Sequence, residues 1–249
     1  MRRRDLTFAL AREEDLAGIL AFCQDNLYGA EVYASVKLCG ADTDIGSLWT
    51  GRDKKGRLKR VVYDNGAYLT FLTRRRGCAA RPPEDEAGLP LFALPPRKAR
   101  LRVMVYRGGR LPFPGGVEEL RGTGLLHLYQ AIRGTKELTE RAERRYVHRA
   151  RSVNAGLADS FGIFEDGAIA ATASINAKNS RYALIGDVFT VFPYRYQGYA
   201  TRLTAACVAR AMEQGLTPIL YCEKNMRKFY RKSGFGEATR SVAELRVKS

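Results

Sequence analysis

Residues 188 to 200 read Val-Phe-Thr-Val-Phe-Pro-Tyr-Arg-Tyr-Gln-Gly-Tyr-Ala, and no other stretch restricts the fold as much. The β-branched and aromatic start is a strand end. Arg195 and Gly198 fall where a turn must form, and from Tyr199 to Gln214 an amphipathic helix follows. Leu203, Ala206, Cys207 and Ala211 make its apolar stripe, and Arg202, Arg210 and Glu213 are left to solvent. A strand that passes through a short basic turn into a helix leaves the first-turn N–H groups without partners, at the positive end of the helix dipole. Such a turn holds a phosphate anion without a dedicated side chain.

The surrounding pattern places that turn in a sheet. Gly215 and Pro218 stop the helix, and Ile219 to Cys222 is a short buried strand. This strand can lie parallel to Tyr182–Thr190 through a right-handed crossover. The turn then sits at the C-terminal end of a sheet strand, where ligands of such units bind. Upstream, Glu118 to Ile132 and Glu137 to Val153 are expected as helices, the first with Leu125, Leu128, Tyr129 and Ile132 on one face and the second ended by Gly156. Ser160 to Phe164 and Ala168 to Ile175 flank Glu165-Asp166-Gly167, a hairpin turn, and with Tyr182 to Thr190 they make an antiparallel meander. Downstream, Asn225 can cap a helix whose inner face carries Met226, Phe229, Tyr230 and Ser233, Gly234 ends it, and Ala238 to Val247 is a last strand.

The N-terminal half carries weaker signals. Glu13 to Asn26 is expected as a helix with Leu16, Ile19, Leu20 and Cys23 on one face. Ser47 to Thr50, Leu58 to Tyr63 and Tyr68 to Thr73 suggest a second meander, with Asp-Asn-Gly turn chemistry at 64 to 66. Arg74 to Arg97 is charged and Pro-rich and reads as a long loop or a stretch with only one short helix, and Leu101 to Tyr106 as a further strand. Arg107 to Gly116, with its Gly-Gly and Pro-Phe-Pro punctuation, is the candidate linker. The expected domains are therefore residues 1–112 and 113–249.

Composition narrows the chemistry. At 249 residues and 45% hydrophobic the chain can bury one large core or two ordinary ones. No run approaches the roughly 20 apolar residues that span a bilayer, and Met-Arg-Arg-Arg-Asp lacks a signal peptide's apolar core. A soluble, cytoplasmic protein without a membrane partner is expected. The five cysteines (Cys23, Cys39, Cys78, Cys207, Cys222) include no C-x-x-C pair, and His127 and His148 are the only histidines. Neither a disulfide framework nor a metal site is expected. A formal charge of +16 attracts polyanions without choosing among RNA, DNA, anionic surfaces and phosphorylated cofactors.

The motifs do choose. Arg195-x-x-Gly198-x-Ala200 closely resembles the acetyl-CoA signature of the GNAT acetyltransferase superfamily. Over roughly residues 117 to 245 it comes in the order that family shows. The hairpin Phe161-Gly-Ile-Phe-Glu-Asp-Gly comes first, then Gly186-Asp-Val-Phe-Thr running into Tyr194-Arg-Tyr-Gln-Gly-Tyr-Ala-Thr201. Leu220-Tyr-Cys-Glu-Lys-Asn225 follows, with Phe229-Tyr230 and Ser233-Gly234-Phe235 behind it. The resemblance implies an α+β fold: a C-terminal GNAT domain, with a mixed, mostly antiparallel sheet flanked by helices, preceded by a smaller α+β domain. The smaller domain reads as degenerate and GNAT-like, because nothing after Tyr68–Thr73 repeats the phosphate-binding pattern.

It also implies roles. Val188, Phe189 and Thr190 would end the splayed strand that pairs with the pantetheine arm. Arg195, Tyr196, Gln197, Gly198, Tyr199, Ala200 and Thr201 would surround the pyrophosphate of acetyl-CoA or another acyl-CoA. Asn225 would contact the coenzyme or fix the loop, and Tyr230 would protonate the departing thiolate. Plainer readings stand beside these: Arg195 as a solvated turn residue, Asn225 as a helix cap, Tyr230 as core packing. The acceptor amine must lose a proton before it attacks, and Asp187 and Glu223 are the nearest acidic candidates. The cluster Lys224, Arg227, Lys228, Arg231, Lys232 is read first as a solvated face, second as attraction to the coenzyme's 3′-phosphate and third as attraction to nucleic acid. One position departs from the family. A small residue, often glycine, commonly follows the motif arginine, and here it is Tyr196, which implies either another loop path or a ring over the adenine side.

The sequence thus predicts an acetyl-CoA-dependent N-acyltransferase acting directly on an amine of a small-molecule acceptor in a ternary complex. A non-catalytic coenzyme A-binding sensor or structural module is the alternative, and a nucleic-acid-binding protein the third reading. A homodimer is left open.

Overall fold

The computed structural model describes residues 6–42, 46–64, 68–73, 77–78, 97–109, 111–133 and 140–246. Its N-terminal lobe runs β1 (Thr7–Leu10), α1 (Leu16–Cys23), α2 (Ala30–Cys39), β2 (Ser47–Arg52), β3 (Leu58–Asp64), β4 (Tyr68–Thr73), β5 (Gly77–Cys78) and β6 (Arg97–Tyr106). The C-terminal lobe runs β7 (Glu118–Glu119), α3 (Gly124–Arg133), α4 (Glu140–Asn154), β8 (Asp159–Glu165), β9 (Ala168–Lys178), β10 (Tyr182–Thr190), α5 (Tyr199–Glu213), β11 (Thr217–Cys222), α6 (Arg227–Lys232) and β12 (Phe235–Arg246). Both lobes begin with the same succession of one strand, two helices and a three-stranded antiparallel meander.

The lobes share one sheet, in the order β1-β2-β3-β4-β12-β6-β11-β10-β9-β8-β7. Strand β6, from the N-terminal lobe, lies between β11 and β12 and is antiparallel to both. The irregular stretch 107–117, where the expected domain boundary falls, is thus spanned by the sheet. All pairs are antiparallel except β10 with β11, which are parallel over Tyr182–Ile185 and Thr217–Leu220.

Two faces of the C-terminal sheet are covered differently. On one, α5 buries Leu203, Cys207, Val208 and Ala211 against Ala171, Ala173, Ile175, Ile185 and Leu220, and Tyr230 and Phe235 join the same core. A fully buried leucine such as Leu203 contributes about 2 kcal/mol. The small alanines of β9 let the helix approach closely. On the other face lie α3 and α4, and next to them α2 from the N-terminal lobe, whose Ala30 and Ala34 pack on Ala177, Leu184 and Ile219. The Asn179 side chain of the β9–β10 turn donates to the carbonyls of Cys23 and Asn26, each at 2.9 Å, tying the lobes together.

The differences from the sequence reading have local causes. Residues 118–119 are an edge strand paired with Gly162 and Phe161, not helix, and α3 starts only at Gly124, after Gly122 turns the chain at φ 50°. Helix α2 is missing from the sequence reading. It is buried on two sides, with Val32 and Val36 in one core and Ala30 and Ala34 in another, so it shows no single apolar stripe. The helix expected over Glu13–Asn26 is shorter, a 3-10 turn at Glu13–Asp15 followed by α1. Met226 is exposed and leaves the inner face of α6 to Phe229, Tyr230 and Ser233. The turn expected at 64 to 66 and most of the loop expected at 74 to 97 lie outside the described residues. Among the described residues no helix is long and apolar enough to cross a membrane.

Candidate active site

The site is built where β10 leaves its neighbour. Parallel pairing with β11 ends at Ile185–Leu220, so residues 186–190 keep β9 on one side and lose β11 on the other. A bulge between Gly186 and Phe189 accompanies the divergence, with Asp187 at φ 50°. A Cβ at Gly186 would run into the Asn176 side-chain amide, which would have to shift. The backbone of 186–190 therefore faces a wedge-shaped gap between β10 and β11, the expected place for an extended ligand arm. Val188, Phe189 and Thr190 line it, each half-buried.

The turn follows directly. A 3-10 turn at Phe192–Tyr194 leads to Arg195 in extended conformation, then to Tyr196 at φ 66° and Gly198 at φ 83°, after which α5 begins at Tyr199. The first amides that turn inward are those of Thr201 and Arg202, which donate to the Gly198 carbonyl at 3.0 and 3.1 Å. Among the described residues none accepts from the amides of 196–200. A run of free donors at a helix start is an anion cradle. Arg195 braces it: its Nε donates to the Thr190 carbonyl at 3.1 Å, and the guanidinium lies 5.5 Å from the Phe192 ring and 6.0 Å from that of Phe189. Tyr199 anchors the helix start by donating to Glu165 Oε1 at 2.6 Å, a bond that also pushes its phenol pKa upward. Tyr196 keeps the left-handed conformation that glycine would adopt, and its ring is fully in solvent.

The catalytic candidates are spread around the gap. Tyr230, on α6, is buried to 8% exposure and packs edge-on against Phe229 and Phe235. Burial first, and then Cys222 and Cys207, push its phenol up to about 12. The hydroxyl has no hydrogen bond to a described residue. Glu223, just past β11, is exposed, and its carbonyl accepts from the Met226 amide in the following 3-10 turn. Asn225 lies inside that turn at the surface and does not cap it, since Glu223 holds the cap position. Arg227 and Arg231 are engaged with Glu237 of β12, holding its carboxyl below the usual range against the opposing pull of burial. Lys224, Lys228 and Lys232 are exposed.

Asp187 points to the helical face away from α5. Its Oδ2 accepts from Arg149 Nη2 at 3.0 Å, the same nitrogen donates to Asn176 Oδ1 at 2.9 Å, and Nη1 donates to the Ile175 carbonyl at 3.4 Å. Sequence reading gave Arg149 and Asn176 no role. They come from α4 and β9, and no local spacing connects them to Asp187. Among the described residues no group of His, Cys, Asp and Glu is arranged to hold a metal.

With that geometry in view, residues 125–235 match the model of the Acetyltransferase (GNAT) family. Solved structures extend the likeness to both lobes. A tandem GNAT protein from the clavulanic acid biosynthesis pathway has a TM-score of 0.60 at 14% identity, with 97% of each chain covered. An acetyltransferase of the GNAT family from Colwellia psychrerythraea has a TM-score of 0.58 at 14% identity, covering 97% of this chain and 100% of its own. A GCN5-related N-acetyltransferase-like protein from Streptococcus suis has a TM-score of 0.55 at 14% identity, with 95% and 100% covered. At such identities the likeness is one of fold. No curated protein sequence matches the chain.

Proposed function

We propose that the protein transfers an acetyl or related acyl group from acyl-coenzyme A to an amine of a small-molecule acceptor, by direct attack within a ternary complex. One observation carries this reading: the unpartnered amides of 196–200 stand at the end of the very strand whose parallel neighbour has turned away. A pyrophosphate on the amides places the pantetheine arm along 188–190 and the thioester near the bulge.

In this reading the residues divide the work. The backbone of β10 at the bulge donates to the thioester carbonyl as negative charge develops there. Glu223 takes the amine proton, through water, because its carboxylate is exposed and not tied to a cation, whereas Asp187 is committed to Arg149. Tyr230 delivers a proton to the departing thiolate. Its high pKa keeps it protonated across the neutral range. Asn225 and the exposed Lys224 and Lys228 border the coenzyme's path. The domains 1–112 and 113–249 act as partner lobe and catalytic lobe. Among the described residues of the N-terminal lobe, β4 is followed by β5, which pairs Gly77 with Thr73, and not by a helix start.

The test is acetyl-CoA with a broad panel of primary amines, following free thiol. Thiol released only when an acceptor is present supports the enzyme. Coenzyme binding without turnover on any amine supports a sensor, and salt-sensitive RNA or DNA binding without a coenzyme-induced melting shift supports a nucleic-acid protein.

A further inference from the structure

The Arg149 side chain is nearly sealed from solvent, at 12% exposure. Burying a guanidinium is costly unless each donor finds an acceptor, and its acceptors are informative. They sit on two neighbouring strands: the Asn176 side chain and the Ile175 carbonyl on β9, and the Asp187 carboxylate on β10. Tyr129 on α3 and Glu31 on α2 add to the electrostatic environment that keeps the guanidinium charged. Tyr129 is itself fixed, donating to the Arg145 carbonyl at 3.0 Å.

What the guanidinium clasps is the bulge. Asp187 has a left-handed φ of 50°, and its carbonyl accepts from Thr172 Oγ1 at 3.2 Å, so one residue is gripped on backbone and side chain alike. On its N-terminal side Gly186 is pressed against Asn176, the other acceptor of the same guanidinium nitrogen. A strand without a second neighbour would otherwise be free to straighten and recover regular pairing with β9. The clasp prevents it.

We infer that Arg149 is a positioning residue for the acyl-transfer site: by holding Asp187 and Asn176 together it fixes the β10 bulge, and with it the aim of the strand amide that polarises the thioester carbonyl. The inference rests on the acyl-coenzyme A reading above.

The experiment needs no acceptor. Acetyl-CoA labelled with 13C at the thioester carbonyl is bound to wild type, to Arg149→Met, to Arg149→Lys and to Arg210→Met, and the carbonyl stretch is read by isotope-edited infrared. Arg210 is the control, an ion-paired arginine on α5 joined to Glu119 and Asp159 rather than to β10. The expected result is a stretch lowered on binding in wild type and Arg210→Met, and a shift lost in Arg149→Met while its Kd for acetyl-CoA stays within about threefold. Arg149→Lys, which keeps the charge but not the fork, retains part of the shift. Should Arg149→Met fail to fold, Arg149→Lys alone decides, and a full wild-type shift in it overturns the inference. So does a full shift in Arg149→Met, or an equal loss in Arg210→Met. Wild type that binds no acetyl-CoA at all instead removes the reading on which the inference stands.

Discussion

Replacing Tyr196 with glycine should make the protein slightly more stable, although it deletes a large aromatic side chain. The ring is 104% exposed, so no buried area is lost with it. The backbone sits at φ 66°, a region that costs a residue with a Cβ about 1–2 kcal/mol and glycine nothing. Against this, glycine gives up about 0.5–1 kcal/mol in extra unfolded-state freedom. The difference favours the variant by about 0.5 kcal/mol, roughly 1–2 °C in Tm for a chain of this size. Gly198→Ala is the mirror experiment, because Gly198 sits at φ 83° with open space where the Cβ would go. There the strain is introduced and the entropy recovered, so stability falls by about 0.5–1 kcal/mol. Chemical denaturation of both variants beside wild type measures the pair. Loss of more than about 1 kcal/mol in Tyr196→Gly, or no loss in Gly198→Ala, would refute the claim that this turn is set by two left-handed residues.

The other predictions concern chemistry and core. Arg195→Glu removes the brace on the Thr190 carbonyl and puts a negative charge beside the cradle, so the Kd for coenzyme A should rise about 10- to 100-fold by calorimetry. Tyr230→Phe should leave that Kd within about twofold and lower kcat by about 10²–10⁴; full activity would take Tyr230 out of the mechanism. Leu203→Ala, at a fully buried position in the α5 core, should cost about 2–5 kcal/mol in a denaturation midpoint series. The alkaline limb follows from burial. The Cys222 thiol is pushed up to about 11 and the Tyr230 phenol to about 12, above ordinary values near 9 and 10. Their stabilisation is whole below pH 9 and is lost as pH rises through 11 to 12, so a melting temperature flat from pH 9 to 12 would contradict it.

The turn and the meander before it were legible because their signals are local. Gly198, the hairpin turn Glu165-Asp166-Gly167 and the stripe of 199–214 each specify a conformation within a dozen residues. Helix α2 was not, since Val32 and Val36 face one core while Ala30 and Ala34 face another, and a helix buried twice shows no polar face. The place of β6 between β11 and β12 was hidden for a different reason. Strand pairing across the lobes depends on partners distant in sequence, and a run such as Leu101–Tyr106 fits any buried sheet position. At the site the motif residues were readable, and the clasp was not. Arg149 on a helix with arginines before and after it looks like a solvated face until Asn176 and Asp187 are brought to it.

The central claim is that coenzyme A is held by the backbone of 196–200. Hydrogen–deuterium exchange with and without saturating acetyl-CoA tests it most directly, at residue resolution. The claim predicts that the amides of 196–200, free of protein acceptors, exchange fast in the free protein and become protected on binding, with 188–190 following. Protection confined to other segments, with 196–200 exchanging as before, would contradict it.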